Sequence, residues 1–419
     1  MAAYYLYLCF VASWFLHLGT RIPALGSIHF DLILVIAIAA LALVPRSSSG
    51  PSRPLSPIAW ALIALTTYCL VAIPFVQWPG SVVKYGLEKY VKAVVFYVFT
   101  VRLVTTEHRL RRLLLVFVAS QSFRFLEPLY LHVTAAYWGD KASMVVATGG
   151  YDFMNRLSGA PGDTINPNGL AFVVLTVIAF THFLWTGNWL GRIGYLLLLP
   201  LGVYALVLTG SRSGLLTMGI VFVAIWLKSR RKALLAILAI AVVLWATPRL
   251  SSDLADRYRS VVDPTARNAG TVSGRIEGVK RNFEVALRRP FFGYGLGTSL
   301  EANYNFDATA MPAHDLYAEV AQELGFLGLG VFLYFLWVVG RDLWKHQGLW
   351  GLASAAGTLT RTGDALRLFM VMNLVFSLAS YGLTGYSWYL LAGLSEVVTR
   401  LACERHTTPE QLSPLAVTA

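Results

Sequence analysis

Uncharged apolar stretches long enough to cross a lipid bilayer recur along this chain of 419 residues. Two of full spanning length cover residues 58–76 and 193–210. A bilayer core of about 30 Å needs about 20 apolar residues in a helix. Composition agrees, because 56% of the residues are hydrophobic and only 13% are charged, against about 25% charged in soluble domains. The chain is therefore predicted to be an all-α polytopic membrane protein.

About twelve helical spans are predicted from these stretches. The first one lacks the charged flank and cleavage site of a signal peptide, so it is predicted to be a retained span. The predicted spans lie near residues 4–18, 29–45, 57–77, 91–108, 113–133, 167–185, 193–208, 213–227, 233–247, 316–340, 366–380 and 384–400.

Basic residues in the short connections set the predicted orientation, because the positive-inside rule makes the side on which they concentrate cytoplasmic. Two longer connections, about 134–166 and 248–315, then face the extracytoplasmic side. The predicted domains are an N-terminal bundle of about nine spans (1–247), the large loop (248–315), C-terminal spans (316–400) and a cytoplasmic tail (401–419).

The net charge of +12 does not indicate a protein that binds nucleic acid. The basic residues lie at helix ends and in loops, where they set topology, and they do not form one soluble patch. No zinc or EF-hand spacing, Walker loop or paired-aspartate motif occurs on the extracytoplasmic side. No metal site is predicted.

Arg212 lies within a run of small residues where a predicted span begins on the extracytoplasmic side. A cation in the first turn of a helix opposes the helix dipole, so this position favours a bound anion. With Ser211, Ser213 and the free N–H groups of a helix start, the guanidinium fork makes a phosphate site. The alternative is an arginine that extends to the membrane interface, which does not require small neighbours.

Arg275 begins a predicted amphipathic helix over residues 275–289, which ends in a glycine-rich turn at 290–297. The basic residues of this helix, Arg281 among them, are candidates for phosphate contact, and the alternative is a solvated face. Lys92 is a further candidate, because it lies on the side that the positive-inside rule depletes of basic residues. Its alternative is a salt bridge to Glu88.

His314 follows Pro312, which fits the first position of a helix, so the histidine is predicted in the first turn of a span. The positive helix end would keep the imidazole neutral, as a proton acceptor needs. Asp315, Glu319 and Glu323 repeat every four residues and share one helix face, which is costly in a membrane unless they find partners. The alternative for His314 is an interfacial residue without a role.

Arg156 precedes a predicted helix start at residues 166–169, to which Asn168 belongs. Alone, this pattern indicates only a turn. Arg124 and Glu127 lie three residues apart within a predicted span, where charged residues are functional candidates. Their alternative is an ion pair that neutralises itself and locks helices together.

Taken in chain order, these motifs resemble those of the O-antigen ligase and polymerase superfamily, which includes bacterial O-oligosaccharyltransferases. The resemblance covers about residues 150–335. The motifs that carry it are Arg156 with the helix start at 166–168, the corner at 210–214, Arg275, the turn at 290–295 and the run at 313–325. The chain departs from the family where Asp315 replaces a frequent asparagine and where no tryptophan follows Arg275.

The resemblance implies a GT-C-like helical bundle, a glycan donor on undecaprenyl diphosphate, and catalysis without a cofactor or an obligatory metal. Arg212 and Arg275 are then expected to offset charge on the leaving diphosphate. His314 is expected to accept the proton of the acceptor hydroxyl, while Asp315, Glu319 or Glu323 orients the histidine or braces an arginine. The expected reaction is a direct displacement that inverts the anomeric carbon.

The favoured function is that of an O-antigen ligase, which moves a finished polysaccharide to lipid A-core oligosaccharide at the periplasmic face of a Gram-negative inner membrane. The expected partners are this glycan donor, the lipid A-core acceptor and membrane lipids. The alternatives are a polymerase of lipid-linked repeats, a protein O-oligosaccharyltransferase and, from another class, a transporter or flippase. Transporters tend to hold substrate at the midplane, whereas the candidate residues here cluster at one membrane face.

Overall fold

The computed structural model describes residues 1–43, 54–139, 143–147, 150–229, 231–246, 252–259, 263, 270–307, 313, 315–346, 357–380 and 382–407. In these parts the chain is predominantly helical, and a helix overlaps every predicted span. The local exception to the all-α prediction is an antiparallel hairpin in the first long loop, formed by β1 (Ser143–Ala147) and β2 (Gly150–Met154).

The helices up to residue 208 lie within the region 1–247 that is predicted as the N-terminal bundle. A 3-10 turn (Ile73–Phe75) and a π-helical turn (Val82–Gly86) lie among them. The helices are α1 (Ala2–Leu16), α2 (Leu18–Arg21), α3 (Pro23–Ser27), α4 (Phe30–Leu43), α5 (Pro57–Val71), α6 (Pro79–Ser81), α7 (Leu87–Leu103), α8 (Glu107–Ala135), α9 (Pro167–Trp185) and α10 (Trp189–Leu208).

The remaining helices complete the bundle and fill the large loop, which contains α13 to α15. They are α11 (Arg212–Lys228), α12 (Lys232–Ala246), α13 (Ser252–Arg259), α14 (Gly270–Leu287), α15 (Ser299–Asp307), α16 (Leu316–Lys345), α17 (Thr358–Ser377) and α18 (Tyr386–Thr407). α14 covers most of the helix predicted at 275–289 but begins five residues earlier.

Five helical segments in the described part of the chain are long and apolar enough to cross a membrane. They are α5 with its 3-10 extension (Pro57–Phe75), α8, α9, α10 and α16. Shorter apolar helices occur at Ala2–Leu16, Phe30–Ala42 and Lys232–Ala241. These segments fit a polytopic membrane protein, and the number of about twelve spans stays a prediction.

Two clusters of buried apolar side chains hold the helices together. The larger cluster joins α1, α5, α7 and α8 to α16, α17 and α18, and contains edge-to-face rings such as Phe15 and Phe117 at 5.3 Å. The second cluster joins α8, α9, α10, α11 and α17. Because α9 packs against both α10 and α17, its first turn is held near the corner between α10 and α11.

α16 is two helical pieces and not the uninterrupted span predicted at 316–340. Gly325 has φ of +69° and ψ of 179°, which breaks the helix. A Cβ atom at this position would lie 2.3 Å from the carbonyl oxygen of Phe291, so the glycine-rich turn after α14 fills the break. The N–H of Phe326 donates to the carbonyl of Pro290 at 2.7 Å. The large loop is thereby fixed to the bundle.

Candidate functional site

A sharp corner between α10 and α11 supplies the first part of the site. Ser211 is the N-cap of α11, and its Oγ accepts a hydrogen bond from the N–H of Gly214 at 3.1 Å, which satisfies the helix start. Gly210 has φ of +56°, a conformation that glycine adopts without strain. Arg212 is the first residue of α11, as predicted, and Ser213 lies buried with its Oγ 3.2 Å from that of Ser211.

Three arginines converge on this corner from different parts of the chain. Nε of Arg156, in the loop before α9, donates to the carbonyl oxygen of Thr209 at 2.7 Å. Nε of Arg257, on α13, donates to the carbonyl oxygen of Gly210 at 2.7 Å. Nε of Arg212 donates in turn to the carbonyl oxygen of Arg257 at 3.1 Å. The backbone therefore orients all three guanidinium planes.

Arg275 on α14 is the fourth arginine, and its charge acts on the other three. Burial lowers the pKa of Arg257 to about 10, and the charges of Arg212 and Arg275 add to this effect. Burial also holds the pKa of Arg156 well below its usual range, with the charges of the other three arginines as further causes. These four residues, named the arginine cluster, concentrate positive charge that a bound anion would stabilise.

Gly210 leaves the space that two of these arginines occupy. A Cβ atom at this position would lie 3.3 Å from Nε of Arg156, 3.3 Å from Cδ of Arg257 and 2.9 Å from Cδ2 of Leu254. Tyr258 holds α13 against the same corner, because its hydroxyl donates to the carbonyl oxygen of Val207 at 3.0 Å. The positive φ of Gly210 and the close approach of Leu254 and the two arginines together explain why the corner needs a glycine.

A cavity of about 260 Å³ lies next to the arginine cluster. Asn168, in the first turn of α9, lines this cavity, and its Oδ1 accepts from Nη2 of Arg156 at 2.9 Å. The other walls come from the first residues of α16 and α18 and the last turns of α17. Asn166 caps α9 by accepting from the N–H of Gly169 at 2.8 Å, as the predicted helix start requires. Asn168 therefore connects the cavity to the cluster.

The three acidic residues around the start of α16 all accept backbone N–H groups. Oδ1 of Asp315 caps the helix by accepting from Ala318 at 2.8 Å. A carboxylate oxygen of Glu319 accepts from the N–H of Gly382 at 2.7 Å, and one of Glu323 accepts from the N–H of Gly297 at 2.8 Å. Among the described residues, Glu319 and Glu323 therefore brace loops, and the expectation that one of the three acids orients His314 or braces an arginine stays a prediction.

His314 lies outside the described residues. The helix after it begins at Leu316, so the prediction that Pro312 begins the helix and puts His314 in its first turn is wrong. Pro312 also lies outside the described residues. The physical reason is that Asp315 satisfies the helix start with its side chain, which makes it the cap. Ala313 and Asp315, on either side of His314, are buried.

Lys92 and Arg281 have surroundings that differ from those of the cluster. Lys92 forms an exposed ion pair with Glu88, one turn earlier on α7, which is the alternative considered for it. Arg281 is partly buried on α14, the helix that also carries Arg275. Its contact with phosphate stays a prediction.

Arg124 and Glu127 bind partners outside α8, so the interpretation as a self-neutralising pair is wrong. Arg124 donates to both carboxylate oxygens of Asp163, from Nε at 2.5 Å and from Nη2 at 2.9 Å. Arg21 donates to both carboxylate oxygens of Glu127, each at 2.6 Å. The two bidentate pairs tie α8 to the first long loop and to α2.

Arg257 is the member of the cluster that sequence reasoning missed. It lies in the last turn of α13, as Arg259 does. Arg257 is only 7% exposed, whereas the side chain of Arg259 is 75% exposed and lies 4.0 Å from Asp256. In the sequence, the one indication for Arg257 was that it lies in the same large loop as Arg275. Arg259 lies in that loop too, so the sequence does not distinguish Arg257 from Arg259.

The part of the chain that matches a known protein family includes three of the four arginines of the cluster. Residues 195–333 match the family model described as O-antigen ligase, and no curated protein matches the chain. The matched region contains Arg212, Arg257 and Arg275, while Arg156 and Asn168 precede it. The family match and the apolar helices indicate a multi-pass membrane protein that acts in glycan assembly. Over residues 195–333, the chain is therefore similar to the O-antigen ligase family.

Proposed function

We propose that this protein is an O-antigen ligase, which transfers a glycan from undecaprenyl diphosphate to lipid A-core oligosaccharide at the periplasmic face of the inner membrane. The observation that carries the proposal is the arginine cluster, in which Arg156, Arg212 and Arg257 meet at one corner and the charge of Arg275 acts on all three. The family match supports glycan assembly as the setting of this site.

The cluster suits the diphosphate leaving group of such a donor. Guanidinium groups bind phosphate oxygens through two parallel N–H donors, and such charge-assisted bonds are among the strongest in proteins. Backbone carbonyls already orient Arg156, Arg212 and Arg257. Donors that are held in place before the reaction stabilise developing charge without reorganisation.

The proposed reaction breaks the bond between the anomeric carbon and the diphosphate oxygen. The bonding electrons pass to that oxygen, and the arginine cluster stabilises the negative charge there. The acceptor hydroxyl oxygen forms the new bond from the opposite face, which inverts the anomeric carbon. Its proton passes to His314, whose role as acceptor is an inference from the sequence. Leu316, two residues after His314, lines the cavity next to the cluster.

The sharpest test of the cluster compares Arg257→Ala with Arg259→Ala. Both remove an arginine from the last turn of α13, but only Arg257 is buried at the corner. A charged hydrogen bond contributes about 1.5–3 kcal/mol, so Arg257→Ala should weaken binding of undecaprenyl diphosphate by about 10- to 100-fold. Arg259→Ala should bind as the wild type does. The measurement is a binding titration with purified protein in nanodiscs.

Equal affinity in the two variants would remove the cluster from the donor site. Arg257→Lys provides a second readout, because an ammonium cannot reproduce a bidentate contact and should rescue only part of the affinity. Deletion of the gene tests the acceptor: complete cores without long chains indicate a ligase, whereas cores with a single repeat indicate a polymerase.

A further inference from the structure

We propose that the cavity beside Asn168 binds the sugar ring that is bonded directly to the donor diphosphate. This inference rests on the proposed function, because it takes the arginine cluster as the diphosphate site. It adds a sugar-recognising subsite made by residues of α9, α17 and α18, of which only Asn168 is a candidate from the sequence.

The position of the cavity follows from the hydrogen bond between Asn168 and Arg156. Asn168 lines the cavity and holds Arg156 at 2.9 Å, so the cavity begins one side chain away from the cluster. In a glycosyl diphosphate, the first sugar is bonded to a phosphate oxygen. A donor whose phosphates contact Arg156 must therefore place its first sugar close to Asn168.

Two asparagines give the cavity the polar groups that a sugar needs. Oδ1 of Asn168 is taken by Arg156, so the group that this side chain offers a ligand is the Nδ2 donor. Nδ2 of Asn373 donates to the carbonyl oxygen of Phe369 at 2.8 Å, so Asn373 offers its Oδ1 acceptor. A sugar hydroxyl both donates and accepts, and it can satisfy each amide.

Aromatic rings form much of the remaining wall. Phe172, Phe376, Tyr386 and Trp388 all line the cavity. The rings of Phe172 and Phe376 meet edge to face at 5.0 Å, and the hydroxyl of Tyr386 accepts from Nε2 of Gln121 at 2.9 Å. These contacts fix the rings in place. Apolar rings with a few placed polar groups are typical of small-molecule sites, and they suit the two apolar faces of a sugar ring.

Size and charge favour one neutral ring over a second phosphate. The volume of about 260 Å³ lies below the range of about 300–1,000 Å³ that is usual for drug-sized ligands. Arg124 also lines the cavity, but Asp163 binds it through both carboxylate oxygens and offsets its charge. The part of the wall that contains Gly382 is held by Glu319, which accepts from the N–H groups of Gly382 and Leu383 at 2.7 and 3.3 Å.

Two lipids that differ only in the sugar test this proposal. The probes are undecaprenyl diphosphate and the same lipid bearing one N-acetylglucosamine, glucose or galactose. Asn373→Leu keeps the branched shape of the side chain and removes its amide group, including the acceptor, and it should weaken binding of at least one glycosylated lipid by about five- to tenfold. Binding of undecaprenyl diphosphate should stay unchanged. Asn373→Ala is the second variant. It also removes the acceptor and should show the same selective loss of affinity, so that a folding defect in one variant alone does not decide the test.

Each outcome separates this inference from the proposed function. Arg257→Ala should weaken both kinds of lipid, and if it weakens neither, the proposed function fails independently of the cavity. Equal loss of both lipids in the Asn373 variants, or no loss of any glycosylated lipid, would overturn the sugar subsite. A raised KM for the acceptor with unchanged donor affinity would assign the cavity to the acceptor sugar and would also overturn the proposal.

Discussion

Arg257 and Arg259 lie two residues apart on α13 and have opposite surroundings. Arg257 is buried against the carbonyl oxygen of Gly210, whereas Arg259 extends beside Asp256 with most of its side chain exposed. Burial of a charged group costs free energy that a surface arginine does not lose. A buried guanidinium group that lies beside three other arginines is more typical of a binding site than of the rest of a protein surface.

The pKa of Arg257 predicts how donor binding depends on pH. Burial and the neighbouring charges lower it to about 10, and a bound diphosphate would raise it again. When a basic group has a lower pKa in the free protein than in the complex, it is partly deprotonated in the free protein above the lower pKa. Binding then requires the group to take up a proton, which weakens the affinity as the pH rises. Affinity for undecaprenyl diphosphate should therefore be constant between about pH 7 and 9 and fall as the pH passes about 10.

A binding titration in nanodiscs over this pH range measures the effect. Arg257→Gln is the control, since it lacks the titrating group and should bind weakly with a shallower decline. A wild-type affinity that does not change up to about pH 10.5 would show that Arg257 stays charged there, which would contradict its lowered pKa.

At the scale of elements, the break in α16 connects the large loop to the bundle. The short piece before Gly325 carries Glu319 and Glu323, and each carboxylate binds a different loop. Tyr68 of α5 strengthens the junction, because its hydroxyl contacts the carbonyl oxygens of Phe291 at 2.8 Å and Leu324 at 2.6 Å. The broken helix therefore anchors loops that flank the site.

Gly325→Ala should destabilise the protein, because residue 325 has positive φ and its Cβ would collide with the carbonyl oxygen of Phe291. A strained backbone position costs on the order of 1–3 kcal/mol. Gly330→Ala is the matched control, since it lies in the regular part of the same helix with nothing within 4 Å of its Cβ. Thermal unfolding in detergent should give a lower Tm for Gly325→Ala only. Equal Tm values would mean that the turn moves aside at little cost.

At the scale of the whole molecule, one side of the membrane should carry the arginine cluster and the cavity. Arg275 and α14 belong to the large loop, and the cavity lies at the ends of α9, α16, α17 and α18 that adjoin it. The basic residues of the short connections predict that this side is periplasmic.

Cysteine labelling in spheroplasts tests this orientation. The three native cysteines, Cys9, Cys69 and Cys403, are replaced first. Lys280→Cys, exposed on α14, should then react with an impermeant reagent from outside, whereas Arg231→Cys, exposed just before α12, should react only after lysis. The reverse pattern would put the arginine cluster in the cytoplasm and exclude transfer at the periplasmic face.

Local interactions made the helices and several site residues of this protein predictable from its sequence. Apolar runs determined where helices form, and short-range caps determined where α9 and α11 begin, at Asn166 and Ser211. These signals depend on residues within one or two helical turns of each other. Arg156, Arg212 and Arg275 were candidates for the same reason, since each lies beside a local motif.

Only the tertiary structure decided which side chains meet. Arg257 joins Arg212 across 45 positions of the chain, and Arg124 pairs with Asp163 instead of Glu127, its neighbour on α8. Gly325 breaks α16 because a turn from another element occupies the space of a side chain. Contacts between distant positions depend on how helices pack, and helix periodicity and caps carry no information about that packing.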